Sequence, residues 1–169
     1  MRDGVTAAVT HNRRTAAEAG AESTGHASVG GDAWGPVSSH LTIDSDDVDV
    51  IVSEVPGPAA DSEVAALVKG VDRGLLVTDI WYTRVLDPRP LVMTGLTRNG
   101  VWLIEDGEVA GPVRNLRFTQ AYPQALAEGH VLGIGRRATT LPSHGFGYQS
   151  YRAPALRLAS WRFTGGAEG

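Results

Sequence analysis

Five histidines, His11, His26, His40, His130 and His144, are the residues of this 169-residue chain best suited to metal or proton chemistry. A hydrolytic zinc site needs about three protein ligands and an open position for water. None of the five histidines precedes a glutamate and no two stand at helical i, i+4 spacing. The chain has no cysteine, which removes disulfides, thiolate ligation and a cysteine nucleophile together. We therefore expect no catalytic residue, no metal ligand and no cofactor-binding residue within this chain.

Two segments place hydroxyls beside imidazoles: Ser143-His144 and Ser23-Thr24-Gly25-His26. A serine triad needs a sharp turn to present its nucleophile, and no G-x-S-x-G elbow exists here. Gly133 to Ala138 fits the loose dinucleotide pattern G-x-G-x-x-A. That pattern binds pyrophosphate only between a strand and a helix, and Thr139, Thr140, Leu141 and Pro142 are poor helix sequence. Its glycines read better as a tight strand exit. The sharper candidates lie in a polar loop, in His11 to Ala16 and Ser23 to Ala27. Small polar residues there either wrap a ligand or peptide backbone, or simply dock a connection on the domain. The interface or peptide-groove candidates are His11, Arg13, Thr15, Ser23, Thr24 and His26. Trp81 and Arg84, on a strong strand, complete the set. Trp81, Tyr82, Trp102, Trp161 and Phe163 read as core or interface packing rather than a cofactor stack.

The elements that must position these residues are mostly strands. Val5 to Val9 could form a short strand and Arg14 to Ala21 a helical turn, and Glu22 to Ser39 reads as a loop. Leu41 to Ile43 and Val48 to Val55 read as strands. Asp61 to Val71 is the best helix, with Asp61 at its cap, an apolar face of Val64, Leu67, Val68 and Val71, and Gly74 as a left-handed stop. Leu75 to Leu86 predicts a long strand, and Asp87-Pro88-Arg89-Pro90 a turn. Asn99-Gly100 and Asp106-Gly107 are both two-residue hairpin signals, because Asn, Asp and Gly tolerate positive φ. Asn115 to Gln120, Val131 to Ile134 and Ala155 to Thr164 predict further strands, and Tyr122 to Glu128 a short helix. Leu156 and Leu158 are out of phase with Trp161 and Phe163, which predicts a β-bulge near Ala159-Ser160.

Twenty-one glycines and nine prolines favour a turn-rich β protein over a helical bundle. The expected fold is mainly β (α+β): an antiparallel, barrel-like sheet with one or two short helices, incomplete at its N-terminus. Residues 1–40 read as a loop-rich segment and 41–169 as the β-rich domain. A formal net charge of −4 gives no electrostatic footprint for nucleic acid. No segment has the length and apolarity of a membrane span or signal peptide, so a cytoplasmic location is expected.

Several long motifs recur together. They are the "R-T-A … S-T-G-H-A" pattern within His11 to Ala27, Trp81-Tyr82-Thr83-Arg84, Asp87-Pro88-Arg89, Thr94 to Gly100 and Pro112 to Gln120. Gly165-Gly166 closes the series. In this order they resemble the C-terminal domain of the TldD/PmbA metallopeptidases over almost the whole chain. Active members of that family carry a helix-borne His-Glu-x-x-x-His pair and a downstream cysteine. Where that cysteine is expected, this chain has Thr139 to Gly147. The resemblance therefore implies a non-catalytic, TldE-like part, with zinc only in a catalytic partner. That partner would be a TldD-type subunit or the missing half of the domain, acting on a peptide substrate. A stand-alone peptide-binding module and an inactive gene remnant are the alternatives.

Overall fold

The computed structural model describes residues 7–28, 32, 35–43, 59–141 and 150–166. The first elements are α1 (Arg13–Ala19), β1 (His40–Thr42), α2 (Ala59–Lys69), β2 (Arg73–Asp87) and β3 (Val92–Glu105). They are followed by β4 (Glu108–Pro112), β5 (Leu116–Ala121), α3 (Tyr122–Ala125) and β6 (Val131–Ile134). The last four strands are β7 (Thr139–Leu141), β8 (Ser150–Ala153), β9 (Leu156–Leu158) and β10 (Phe163–Gly166). The chain divides into two compact units. One joins Met1–Ile43 to Thr139–Ala153, and the other joins Asp44–Ala138 to Pro154–Gly169.

The second unit is built on a five-stranded antiparallel sheet in the order β10-β5-β3-β2, with β4 also paired to β3. Among the described residues this sheet stays open and does not close into a barrel. β3 is its axis. β2 runs along one side of it, while β5 pairs with Val92 to Leu96 and β4 with Trp102 to Glu105 on the other. Thr97 sits at the break between β4 and β5. Its buried hydroxyl accepts from the Leu116 amide at 2.8 Å, and the Val113 amide donates to the Val101 carbonyl at 2.8 Å. The core gathers on this sheet around Val101, Ile104 and Phe118, while Ala66, Leu67 and Val68 are the buried part of α2. α2 packs on β4 and β9.

Two identical-looking turn signals have different outcomes. Asp106 and Gly107, with φ of 51° and 77°, form the expected two-residue turn between Glu105 and Glu108. Its amides donate to the carbonyls of Asp72 (2.7 Å) and Val71 (2.9 Å), which fixes the hairpin to the end of α2. Asn99-Gly100 is not a turn, because β3 runs straight through it. Val77 pairs with Val101 and Asp79 with Arg98, so Thr78 alone opposes two residues and the pair forms a β-bulge. The positive φ of Asn99 (59°) is spent on the extra residue. Thr78 Oγ1 donates to the Gly100 carbonyl (3.0 Å), and Asn99 Nδ2 donates to Asp79 Oδ2 (2.9 Å).

Other expectations are corrected too. α2 begins at Ala59, so Asp61 lies inside its first turn. Gly74 belongs to β2 and not to a helix cap. The phase break after Leu158 is a change of sheet instead of a bulge. β9 pairs with β6, and β10 pairs with β5. One strand with a bulge cannot serve two sheets, and the out-of-step Trp161 lies in the link between them. Its ring packs on Phe118 at 5.5 Å and on Tyr122 at 5.3 Å between centroids. Of the aromatics expected in core or interface packing, Trp161 is half-buried, whereas Tyr82 (58% exposed) and Trp102 (37% exposed) lie outside the core. Ala7 to Val9 carry no regular structure, and the proposed strand over Val48 to Val55 lies outside the described residues.

The first unit holds α1 and the small sheet β1-β8-β7. β1 runs parallel to β8, from His40↔Ser150 to Thr42↔Arg152, and β7 is antiparallel to β8. The parallel pair departs from the all-antiparallel expectation. Strands this far apart in sequence need no tight hairpin between them. No helix among the described residues is long and apolar enough to cross a membrane.

Candidate functional site

Asn12, Thr15 and Gly20 explain why α1 forms where it does. Asn12 Oδ1 accepts from the Thr15 amide (2.9 Å), and Thr15 Oγ1 accepts from the Asn12 amide (3.1 Å). This reciprocal box satisfies two amides that a helix start leaves open. Gly20, with φ of 62°, ends the helix in the left-handed region. Arg14 pairs with Glu18 at 2.9 Å across one turn, with both side chains largely exposed. Such a pair contributes little.

The loop after α1 folds back on the residue before it. The amides of Thr24 (3.1 Å) and His26 (3.3 Å) both donate to the His11 carbonyl. Thr24 Oγ1 accepts from the His11 amide at 2.7 Å and lies 3.0 Å from the His11 carbonyl. The same oxygen is 2.8 Å from His26 Nδ1, and His11 Nδ1 is 3.4 Å from Thr15 Oγ1. Thr24 has a single proton for these contacts. Its hydroxyl is thus a structural rivet, and the Thr24-His26 pair has no carboxylate behind the imidazole among the described residues. It is not arranged as a hydrolytic triad.

Between the helix start and the loop lies an open cavity of about 390 Å³. Asn12, Arg13, Arg14, Ser23, Gly25 and Asp32 are on its walls. Of the residues singled out from the sequence, Arg13 and Ser23 face this space, while His11, Thr15, Thr24 and His26 hold its walls together. Asn12 was missed in the sequence, although its N-x-x-T spacing to Thr15 is the signal that could have found it. Asp32 gives no such signal.

Trp81 and Arg84 belong to the second unit. The Arg98 guanidinium lies over the Trp81 ring at 4.3 Å, and Arg84 lies over Tyr82 at 4.1 Å and donates to its hydroxyl. Tyr82 has a φ of 55°. It sits in a second bulge, where Trp81 pairs with Leu96 and Arg84 with Thr94. Arg-aromatic stacks of this kind are common hot spots at interfaces.

The described residues do not fit a zinc ion. Among them, no three His, Cys, Asp or Glu side chains group closely enough to hold a metal. Gly133 and Gly135 serve packing. A Cβ at Gly133 would lie 2.8 Å from Leu67 Cδ2, and the Gly135 amide donates to the Ala155 carbonyl at 2.8 Å. That is the strand exit expected from the sequence.

The sequence pattern of the PmbA/TldA metallopeptidase C-terminal domain matches residues 1–165. The chain belongs to this family. No curated protein matches it. Its fold is similar to the crystal structure of a Thermotoga maritima MSB8 protein described as a modulator of a DNA gyrase, with a TM-score of 0.65 and 19% identity. The likeness covers 97% of this chain and 32% of that one, so the chain spans about a third of the length of that relative. At this identity the likeness concerns the fold alone. Membership of the PmbA/TldA family gives the bulges at Asn99 and Tyr82 a setting: they lie in the motifs that carry the resemblance.

Proposed function

We propose that this chain is a non-catalytic, TldE-like part of a PmbA/TldA-type peptidase, which supports proteolysis by a zinc-bearing partner. The observation that carries the reading is the family match over residues 1–165 in a chain with no cysteine and no His-Glu-x-x-x-His. Its role is to form part of the wall and the subunit interface around an extended peptide. Zinc and the hydrolytic water belong to the TldD-type subunit or to the other half of the domain.

The test is to purify the tagged chain from native extract and to read its partners, zinc content and peptidase activity together. A stoichiometric polypeptide bearing His-Glu-x-x-x-His, with zinc and chelator-sensitive activity in the complex, is the expected result. The chain recovered alone, metal-free and without effect on a TldD-type enzyme, sinks the proposal.

A second reading is a stand-alone peptide-binding module. It is favoured by β2, a strand of 15 residues whose outer edge has no partner strand among the described residues. An open edge lends itself to strand addition by an extended peptide. Cooperative folding with saturable peptide binding by the isolated chain, and no partner in extract, distinguishes this reading from the first.

A further inference from the structure

The second unit contains a cavity of about 450 Å³ where the end of β5 meets α3 and the link between β9 and β10. Its rear wall is fixed. Gln120, 8% exposed, spends both ends of its amide: Nε2 donates to the Ala121 carbonyl (3.0 Å) and Oε1 accepts from the Arg162 amide (2.9 Å). The Thr119 amide donates to the Arg162 carbonyl at 3.0 Å, and Trp161 is held by Phe118 and Tyr122. Thus the backbone of Arg162 is tied at both its amide and its carbonyl.

The mouth is different. Gln124, His130 and Arg162 also line the cavity, and among the described residues their side chains have no hydrogen-bond or ion-pair partner. His130 is half-buried and its backbone is pinned by bonds from Ala159 (2.8 Å) and to Ala127 (3.0 Å). None of the described lining residues is acidic, in a chain whose formal net charge is −4. Arg162, His130 and Gln124 therefore line, together with Trp161, a space with no acidic residue among its described walls. The volume falls in the range of small-ligand pockets, roughly 300–1,000 Å³.

We infer that this cavity binds a small carboxylate ligand that also carries an amide or amine, namely a peptide C-terminus or a free amino acid. The guanidinium of Arg162 takes the carboxylate in a charge-assisted contact. The Gln124 amide and the His130 ring offer polar contacts to the adjoining group, and Trp161 covers its apolar part. The site is built entirely from residues of the second unit and does not depend on a catalytic partner.

The test follows the Trp161 indole N–H resonance of the full chain during titration. The probes are N-acetyl-Ala-Ala with a free carboxylate, the same dipeptide as its C-terminal amide, and alanine. The acid is expected to give a saturable shift. Amidation of the probe, or Arg162→Gln in the protein, weakens binding by about tenfold, the loss of one charge-assisted contact. Arg162 is exposed, so the variant retains the parent's circular dichroism. Binding of the dipeptide but not alanine assigns the site to peptide ends, and equal binding of the two assigns it to free amino acids. Equal shifts with acid and amide, an unchanged affinity in Arg162→Gln, or no shift at millimolar acid would overturn the inference.

Discussion

Phe118, at 0% exposure, links both halves of the second unit's sheet and supports Trp161 from below. Truncation to Ala leaves a ring-sized hole, so Phe118→Ala is expected to cost about 3–5 kcal/mol, read as a lower urea midpoint. Tyr122 also packs on Trp161. Burial pushes its phenol above the ordinary value of 10.0, because the folded state disfavours the charged form. The unfolded chain then releases this proton first as pH rises. Stability from Tyr122 is therefore complete below pH 10.0 and is lost through the range above it. Urea midpoints measured across that range should fall less steeply for Tyr122→Phe, which keeps the ring and removes the proton. In the first unit, Asn12→Ala removes the helix cap and should cost about 1 kcal/mol. Amide hydrogen exchange in α1, not global unfolding, is the measurement that registers it.

At the scale of elements, the Asp106-Gly107 turn is the sharpest case. A Cβ on Gly107 would lie 2.9 Å from the Lys69 carbonyl oxygen, in a backbone of φ +77°. Gly107→Ala is expected to destabilise by about 1–3 kcal/mol. Gly111→Ala, where a Cβ meets nothing within 4 Å, serves as the control in the same thermal melts. The contrast with Asn99-Gly100 marks how far sequence reading reaches. Both dipeptides announce positive φ, and both have it. Whether that becomes a turn or a bulge depends on a neighbour, since β2 is long enough to pair on either side of Asn99. β7 and β8 were illegible for a related reason. Thr139 to Leu141 is exposed throughout, so no buried face imprints an alternation on it. β5 and the apolar face of α2 were legible because each has a buried side, β2 was legible from its β-branched and aromatic residues, and β3 only as two strands parted at Asn99-Gly100. The walls of the first cavity were half legible. The Thr15 and Thr24 contacts are local, whereas Asp32 carries no signal in the residues around it.

At the scale of the molecule, the outer edge of β2 and the Arg-stacked aromatics on and beside it offer a docking surface among the described residues. If a TldD-type partner docks there, Trp81→Ala and Arg98→Ala should each weaken the complex about tenfold or more, the loss of a hot-spot contact, measured by sedimentation or interferometry. An unchanged affinity would move the interface elsewhere. The two units also differ in how they are threaded. β2 to β5 are consecutive, whereas His40 waits for Ser150 before β1 has a neighbour. During synthesis the meander can therefore zip up as it leaves the ribosome, while β1 stays without a neighbour until β8 has been made. The arrival of β8, and not the emergence of β1, becomes the moment at which the small sheet of the first unit takes shape. A nascent chain stalled before β8 should be protease-resistant in the meander and open at β1, a window in which a chaperone or a waiting subunit meets that strand before it is paired.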